Sequence, residues 1–254
     1  MIYILIKIKS LISHFFERKI YKLERKFKTI HKPSYNKIKT IIFDTTNYHS
    51  ELCEISLKFN SDKSPYNNAG GPGHRHAYTG IYDYLFKGIK NNNLNFCEIG
   101  IYHNEGIKIF REYFKNSKIY GFDSEISFIE KGKKDNLKNV YYNLIDVRDE
   151  NSLLNSFKKL NKKFDIIIDD STHDFDDQIR IIKTAYHFMK KDSFLIIEDI
   201  YKKKKGYYAT DYYDALSQIN CLSNYSDYYF IEAKHKNEWS RFWDNSKLLV
   251  LKKN

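Results

Sequence analysis

The chain has 254 residues, enough for one large domain or for a domain with an extension. Hydrophobic residues make up 42% of it, which suffices for a buried core, and no apolar run approaches the ~20 residues of a membrane span. The formal net charge is +11, but the lysines are scattered among acids and form no basic stripe, which argues against a nucleic-acid partner. Cys53, Cys97 and Cys221 show no paired spacing, so we expect neither a disulfide framework nor a zinc site, and a reducing cytoplasm fits best.

The N-terminal part predicts a helical extension, residues 1–59. Apolar and basic residues recur at roughly helical spacing over 2–30, and the helix should end before Pro33. A basic amphipathic helix of this kind fits peripheral contact with an anionic membrane surface. It fits equally well a helix that packs on its own domain or on a second copy in a homo-oligomer. Residues 40–43 also fit a short strand.

Residues 60–77 predict a loop, because they contain the only stretch rich in Gly, Pro and Asn. A long loop in a compact domain is usually functional or disordered. The charged side chains of this loop favour a lid over an active site, with simple disorder as the alternative. They are Asp62, Lys63, His74, Arg75 and His76.

Strands and helices alternate from Tyr78 to the end of the chain, which we predict to be one domain, 78–254. The predicted strands are 95–101, 118–122, 140–144, 164–169, 194–197, 228–232 and 247–251, and the predicted helices are 78–89, 105–114, 126–134, 150–160, 175–189 and 211–222. Strict alternation predicts an α/β fold with a doubly wound, mostly parallel, seven-stranded sheet. The short link between the last two strands predicts an antiparallel C-terminal edge.

Two of these strands end in carboxylates. The run from Phe164 ends in Asp169 and Asp170, and the run from Phe194 ends in Glu198 and Asp199. Open α/β sheets bind ligands at the carboxyl ends of their strands, and neighbouring strands lie about 4.8 Å apart. Such carboxylates repel one another unless a cation joins them, and oxygen-rich clusters suit Mg²⁺, Mn²⁺ or Ca²⁺. The alternative is that these acids cap the following helices. The recurrence of the pattern, with His173 nearby, favours a metal site.

The first three strands of the alternating region also end in acidic residues, and the first is followed by a glycine. Glu98 and Gly100 lie on the first strand-to-helix turn, where a glycine allows close approach of a ligand. Asp123 ends the second strand, where a carboxylate accepts hydrogen bonds from ribose hydroxyls. Asp146 follows the third strand, where it can accept from an adenine amino group. The series predicts a nucleoside site.

This series resembles the nucleoside site of class I S-adenosylmethionine-dependent methyltransferases. More narrowly, Asp169-Asp-Ser-Thr-His173 and Ile197-Glu-Asp199 resemble motifs of the metal-dependent sugar O-methyltransferases of the mycinamicin and macrocin type. The segments Asn60-Ser-Asp-Lys63 and His76-Ala-Tyr78-Thr-Gly-Ile-Tyr82 are similar to further motifs of that family. The resemblance covers about residues 57–200. It departs where relatives carry Gly-Gly-Ser and this chain has Asn104-Glu-Gly106.

The resemblance implies a Rossmann-like methyltransferase fold, with S-adenosylmethionine and a divalent cation (Mg or Mn) as cofactors. It implies that Asp170, Glu198 and Asp199 hold the metal and that His173 is the general base. A second histidine common in the family is Asp177 here. The implied cofactor-binding residues are Lys63, Tyr78, Glu98, Gly100, Tyr102, Asp123, Asp146 and Asp169.

The expected reaction is methylation of a sugar hydroxyl, on a nucleotide-activated sugar or a glycoside, in surface polysaccharide (capsule) or natural-product biosynthesis. A basic and aromatic rim near the metal ligands suits such an acceptor, although a solvated lysine loop is an alternative explanation. The rim residues predicted to contact substrate are His74, Arg75, Tyr201 and Lys202. The rival hypotheses are a nucleic-acid methyltransferase, a non-haem iron oxygenase of the same fold, and a non-catalytic relative.

Overall fold

The structure is a computed structural model that describes residues 38–67, 74–240 and 243–254. The amphipathic segment 2–30 lies outside these ranges. The strands are β1 (Lys39–Asp44), β2 (Asn95–Ile99), β3 (Lys118–Asp123), β4 (Val140–Leu144), β5 (Phe164–Asp169), β6 (Met189–Ile197), β7 (Tyr225–Lys234) and β8 (Lys247–Lys253). The helices are α1 (Glu51–Phe59), α2 (Tyr78–Phe86), α3 (Glu105–Tyr113), α4 (Ile126–Lys134), α5 (Glu150–Leu160), α6 (Phe175–Ala185) and α7 (Ala209–Gln218).

The strands form one sheet in the order β1-β7-β8-β6-β5-β2-β3-β4. Only β8 runs antiparallel to its neighbours, β6 and β7. The predicted doubly wound, mostly parallel α/β sheet is thus confirmed, with eight strands in the described ranges instead of seven. The extra strand is β1, which covers the short strand considered at 40–43 and pairs in parallel with β7. β8 lies inside the sheet because it pairs with both β6 and β7. β1, which precedes residue 60, belongs to the same sheet.

The alternation of side chains along the central strands explains the two layers of the core. Ile166 and Ile168 of β5 pack with the cluster on one face, whereas Ile167 packs with the cluster on the other. Both faces are covered by helices, so these strands are apolar without polar alternation. The predicted helix over 175–189 is shorter than expected: α6 ends at Ala185, and after a 3₁₀ turn β6 already begins at Met189, which pairs with Phe164. Within the described ranges no helix combines the length and the apolar content that a membrane span requires.

Parallel pairing of β2, β5 and β6 brings their carboxyl ends to one edge of the sheet. Ile99 pairs with Asp169, and Asp169 pairs with Ile197. Beyond the last pairs the backbone stays connected, because the Asp170 amide donates to the Ile99 carbonyl (2.8 Å) and the Glu198 amide donates to the Asp169 carbonyl (2.9 Å). This edge carries the candidate site.

Candidate active site

The two acidic strand ends meet in space. Each of Asp170, His173 and Asp199 has one side-chain atom that could bind a metal ion, and these three atoms all lie within 4.8 Å of one another. The Nε2 atom of His173 is 4.0 Å from Oδ1 of Asp170 and 3.9 Å from Oδ2 of Asp199. Two carboxylates at this separation form an oxygen donor set that suits a divalent cation, and the imidazole lies beside them.

The acids at the end of β5 do not cap the helix that follows. The N-cap of α6 is Asp174, whose side chain accepts from the Asp176 amide. Asp169 is buried and accepts from the Ser171 hydroxyl (2.6 Å), and burial raises its pKa to about 6. Helix capping therefore does not explain the place of Asp170 in the sequence. Its side chain lies instead with those of His173 and Asp199.

Asp199 is held from behind by α2 and by the segment before β8. The Tyr78 hydroxyl donates to its Oδ1 (2.7 Å), and the Asn245 amide donates to its Oδ2 (2.8 Å). Burial opposes ionisation of Asp199, but His76 and His173 together with the hydrogen bond from Tyr78 hold its pKa below the usual value. The predicted cofactor residue Tyr78 is fully buried and serves here as a support for Asp199.

Glu198 contacts a buried lysine. Its Oε1 accepts from the Tyr82 hydroxyl, and its Oε2 accepts from Nζ of Lys63 at 2.7 Å. The Lys63 ammonium also donates to Oδ2 of Asp170 and lies 3.6 Å from Oε1 of Glu98. Burial raises the pKa of Glu198 well above its usual value, reinforced by the negative charge of Asp170. Lys63 thus belongs to the same group of side chains as Glu98, Asp170, Glu198 and Asp199, which we call the carboxylate cluster.

Glu98 and Gly100 lie between the carboxylate cluster and the first strand-to-helix turn. Gly100 has φ +87°, and a Cβ there would lie 2.2 Å from the Asp170 carbonyl oxygen. Only glycine fits this position, since it allows both the conformation and the close approach of β5. Glu98 is buried, its Oε2 has no hydrogen-bond partner, and burial raises its pKa to about 8. An unsatisfied buried carboxylate oxygen beside a crevice indicates a place for a ligand donor.

A crevice of about 230 Å³ lies above β2, β3 and β4. Asp123, one of its walls, accepts through Oδ2 from the amides of Ile101 (3.0 Å) and Tyr102 (3.1 Å). Asp146 also lines it but is paired with Arg148, whose Nε lies 2.9 Å from its Oδ1. The exposed Tyr102 ring packs edge-on against Phe128 at the mouth. The predicted nucleoside residues Gly100, Tyr102, Asp123 and Asp146 therefore share one crevice.

A second crevice, of about 270 Å³, lies directly beside the first. Its walls include Lys63, Glu98, His173 and Asp199, and His74 and Trp243 stand at its rim with their rings 5.5 Å apart. The two crevices share four residues: Gly100, Tyr102, Asp170 and Ser171. The crevice beside Asp123 and Asp146 is thus adjacent to the crevice that contains Asp170, His173 and Asp199.

Not all of the residues predicted to contact substrate line these two crevices. His74 lines the second crevice, and its Nδ1 lies 2.6 Å from the Ser240 hydroxyl. Tyr201 contacts Trp243 with a ring separation of 6.1 Å and so supports the rim. Lys202 is paired with Glu238 (3.1 Å), and Arg75 forms a backbone bridge to Trp239 and lines a different crevice. Lys202 and Arg75 are thus committed to other contacts.

Several site residues were not assigned a role from the sequence. His76 lies 3.7 Å from Asp199, Tyr82 holds Glu198, and Asn245 holds Asp199. The i, i+4 spacing of Tyr78 and Tyr82, one face of a helix, could have indicated that both tyrosines point to one target. No local signal marks Asn245.

Comparison with known proteins agrees with this architecture. The profile described as "Methyltransferase domain" matches residues 92–244. A curated relative from Streptomyces olivaceus, 8-demethyl-8-(2-methoxy-alpha-L-rhamnosyl)-tetracenomycin-C 3'-O-methyltransferase, is 26% identical over 175 residues, which are 65% of this chain and 42% of that protein.

Two solved structures share the fold. MycE methyltransferase of the mycinamycin biosynthetic pathway, in complex with Mg, SAH and Mycinamycin VI, has a TM-score of 0.57 at 16% identity and covers 82% of this chain and 55% of its own. An O-methyltransferase from Bacillus cereus in complex with SAH has a TM-score of 0.52 at 13% identity over 91% of this chain and 97% of its own. This chain spans about half the length of the tetracenomycin and mycinamycin enzymes that it matches. Since the family profile matches more than half of it, the chain belongs to the methyltransferase domain family.

Proposed function

We propose that this protein is an S-adenosylmethionine-dependent, divalent-metal-dependent O-methyltransferase that acts on a sugar hydroxyl. The observation that carries the proposal is the adjacency of the two crevices, since a crevice of about 230 Å³ shares four lining residues with the one that contains Asp170, His173 and Asp199. A methyl donor in one crevice and an acceptor in the other would meet beside an imidazole. The fold relatives that contain Mg and SAH, one of them with Mycinamycin VI, support the same assignment.

The residues present fit a divalent cation. Asp170 Oδ1 and Asp199 Oδ2 face a common space, and hard oxygen donors are what Mg²⁺ and Mn²⁺ prefer. We infer that Asp170 and Asp199 hold the cation and that Glu198 joins them when its oxygen is released by Lys63. When bound, the cation would lower the pKa of a sugar hydroxyl and orient the acceptor.

We infer that His173 acts as the general base. Its side chain is 21% exposed and lines the second crevice, with Nε2 toward the space between Asp170 and Asp199. Its Nε2 would accept the hydroxyl proton as the acceptor oxygen attacks the methyl carbon, while the methyl–sulfur bond breaks and the sulfur leaves as the neutral thioether of S-adenosylhomocysteine. The proton can then leave to solvent through the exposed part of the ring.

The donor would be positioned by the first strand-to-helix turn. Asp123 fixes the turn through the Ile101 and Tyr102 amides, and its free lone pairs can accept from ribose. The carboxylate of Asp170, which lines both crevices, would favour the positive charge of a sulfonium donor. Correct alignment of the methyl–sulfur bond with the acceptor oxygen supplies much of the rate.

We further propose a nucleotide-activated sugar or glycoside as acceptor, in surface polysaccharide (capsule) or natural-product biosynthesis. The aromatic rim of His74, Trp243 and Tyr201 suits stacking against a sugar or base. The curated relative is named as a methyltransferase of a rhamnosyl-bearing compound, which favours a sugar over a nucleic acid.

The test is an assay of the purified protein with S-adenosylmethionine, Mg²⁺ or Mn²⁺ and a panel of nucleotide sugars, glycosides and oligonucleotides, read by mass spectrometry. We expect a gain of one methyl group on a sugar-bearing compound and its loss in EDTA. Methylation of oligonucleotides alone, or turnover that persists in EDTA, would contradict the proposal.

A further inference from the structure

Lys63 is an unusual component of this site because it is a buried cation among the groups proposed to bind a metal. Its side chain is 5% exposed. Its ammonium contacts Asp170 and Glu198, and Glu98 lies 3.6 Å away. A lysine that merely filled the core would leave an unpaired buried charge, so the contacts with three carboxylates are what stabilise it there.

The backbone of Lys63 is fixed as firmly as its side chain. Its carbonyl oxygen accepts from the amides of Tyr78 (3.1 Å) and Thr79 (3.2 Å) at the start of α2. The same helix carries Tyr78, which holds Asp199, and Tyr82, which holds Glu198. The position of the ammonium is thus set by the element that also positions the carboxylates.

The lysine divides the carboxylate oxygens into two sets. Oδ2 of Asp170 accepts a hydrogen bond from Lys63, whereas its Oδ1 faces His173. Both oxygens of Glu198 are occupied, one by Tyr82 and the other by Lys63. Oδ1 of Asp170 and Oδ2 of Asp199 lie on the side of His173, within 4.0 Å of its Nε2. A divalent cation that approached the second oxygen of Glu198 would instead be repelled by the ammonium bonded there.

From this geometry we propose that Lys63 is a resident counter-cation, which stabilises the carboxylate cluster before a divalent cation binds and is displaced from Glu198 when it does. The displaced ammonium could move to Glu98, since Oε1 of Glu98 is only 3.6 Å away and its Oε2 has no hydrogen-bond partner. The arrangement makes the fold independent of metal at the expense of metal affinity. This inference rests on the proposed metal-dependent function and adds a positioning role for Lys63.

The test compares Lys63→Met, which keeps the length of the side chain and removes its charge, with Lys63→Arg, which keeps the charge. Without metal, Lys63→Met should unfold at a temperature lower by about 5 °C or more, because three carboxylates lose their partner. With Mn²⁺ as the probe, titrated by calorimetry, the same variant should bind about tenfold more tightly than the wild type, because a like charge has been removed. Saturating Mn²⁺ should restore its unfolding temperature, and Lys63→Arg should resemble the wild type in all three measurements.

Lys190→Met is the matched control, since Lys190 is paired with Asp165 (2.7 Å) at the start of β5, the opposite end of the strand. It should leave Mn²⁺ affinity unchanged. Unchanged or weaker Mn²⁺ binding by Lys63→Met, with normal binding by the wild type, would overturn the inference and leave the proposed function intact. Failure of both proteins to bind Mn²⁺ would overturn both. A Lys63→Met protein that folds only when Mn²⁺ is present would support the inference.

Discussion

Two residues of the cluster, His173 and Asp199, adopt left-handed backbone conformations, with φ of 57° and 58°. Such conformations are uncommon for residues other than glycine and are retained where the surrounding structure enforces them. Here the enforcement comes from hydrogen bonds: the Tyr207 hydroxyl donates to the His173 carbonyl (3.2 Å), and Tyr78 and Asn245 hold the Asp199 carboxylate. The strain turns both side chains toward the same space.

Replacing His173 with Ala should lower turnover by about 10²- to 10⁴-fold, the usual contribution of a general base. The reason is that, among the described residues, His173 is the histidine whose Nε2 lies within 4.0 Å of both Asp170 and Asp199. Binding of S-adenosylmethionine, measured by calorimetry, should stay within a few-fold of the wild type. Retained turnover would exclude His173 as the base.

Replacing Tyr78 with Phe should weaken Mn²⁺ binding by about 10- to 100-fold, because outer groups that orient a ligand carboxylate have effects of this size. The hydroxyl is the only part removed, so the packing of the buried ring stays the same. Calorimetric titration with Mn²⁺ measures the effect. Tyr113→Phe is a control, since its hydroxyl donates to Asp83 (2.9 Å), outside the carboxylate cluster; an equal loss in both variants would count against the supporting role of Tyr78.

Between elements, the closest approach at the site is that of β2 and β5. Gly100 follows β2, and the Asp170 carbonyl passes against its Cα, at a distance that leaves no room for a side chain. This approach lets the Asp170 amide bond to Ile99 and aligns the two strand ends. The glycine is therefore required by tertiary packing as well as by its own φ angle.

Gly100→Ala should lower the free energy of unfolding by more than about 3 kcal/mol, a severe effect for a single substitution. Gly206→Ala separates the two causes: Gly206 has the same φ of +87°, but nothing lies within 4 Å of its added Cβ. It should cost only about 1 kcal/mol, the price of the left-handed conformation. Urea unfolding of both variants measures the difference, and equal losses would show that the contact with Asp170 does not matter.

At the level of elements, the sequence predicted the strand centres better than the boundaries. The runs ending at Asp169 and Ile197 were recognised because a β-branched run buried on both faces has no polar alternation. The start of β6 at Met189 was missed, because Lys190, Lys191 and Asp192 resemble a turn and the register with β5 shifts between Phe164 and Ile166. The place of β1 in the sheet depends on its pairing with β7, nearly two hundred residues away, which no local pattern encodes.

For the molecule as a whole, the buried acids of the site determine how stability depends on pH. Burial raises the pKa of Glu98 to about 8 and that of Asp169 to about 6, so the folded state binds these protons more tightly than the unfolded chain does. Their contribution to stability is complete below the unfolded pKa values and is lost as the pH rises through the folded ones. For Glu98 the loss falls between about pH 4.5 and pH 8.

Glu98→Gln should remove this part of the pH dependence. In EDTA, the stability of the wild type relative to the variant should decline from pH 5 to pH 8, with a slope of at most about 1.4 kcal/mol per pH unit. Thermal unfolding at a series of pH values measures the decline. Glu150→Gln is the control at an exposed site, because that carboxylate is 44% exposed in its pair with Lys183. A flat difference for Glu98→Gln would contradict the raised pKa.

The sequence by itself determined the kind of fold and the chemistry at the strand ends. Backbone periodicity is local, so the buried strands could be recognised, and topology places the carboxyl ends of parallel strands at one edge, so Asp170 and Asp199 could be expected to meet. Only the tertiary structure decided which groups surround them. Lys63 reaches Asp170 and Glu198 across 107 and 135 residues, and Asn245 reaches Asp199 across 46. Such contacts arise from the packing of distant segments, because a buried charge takes whichever partner the assembled fold brings within reach.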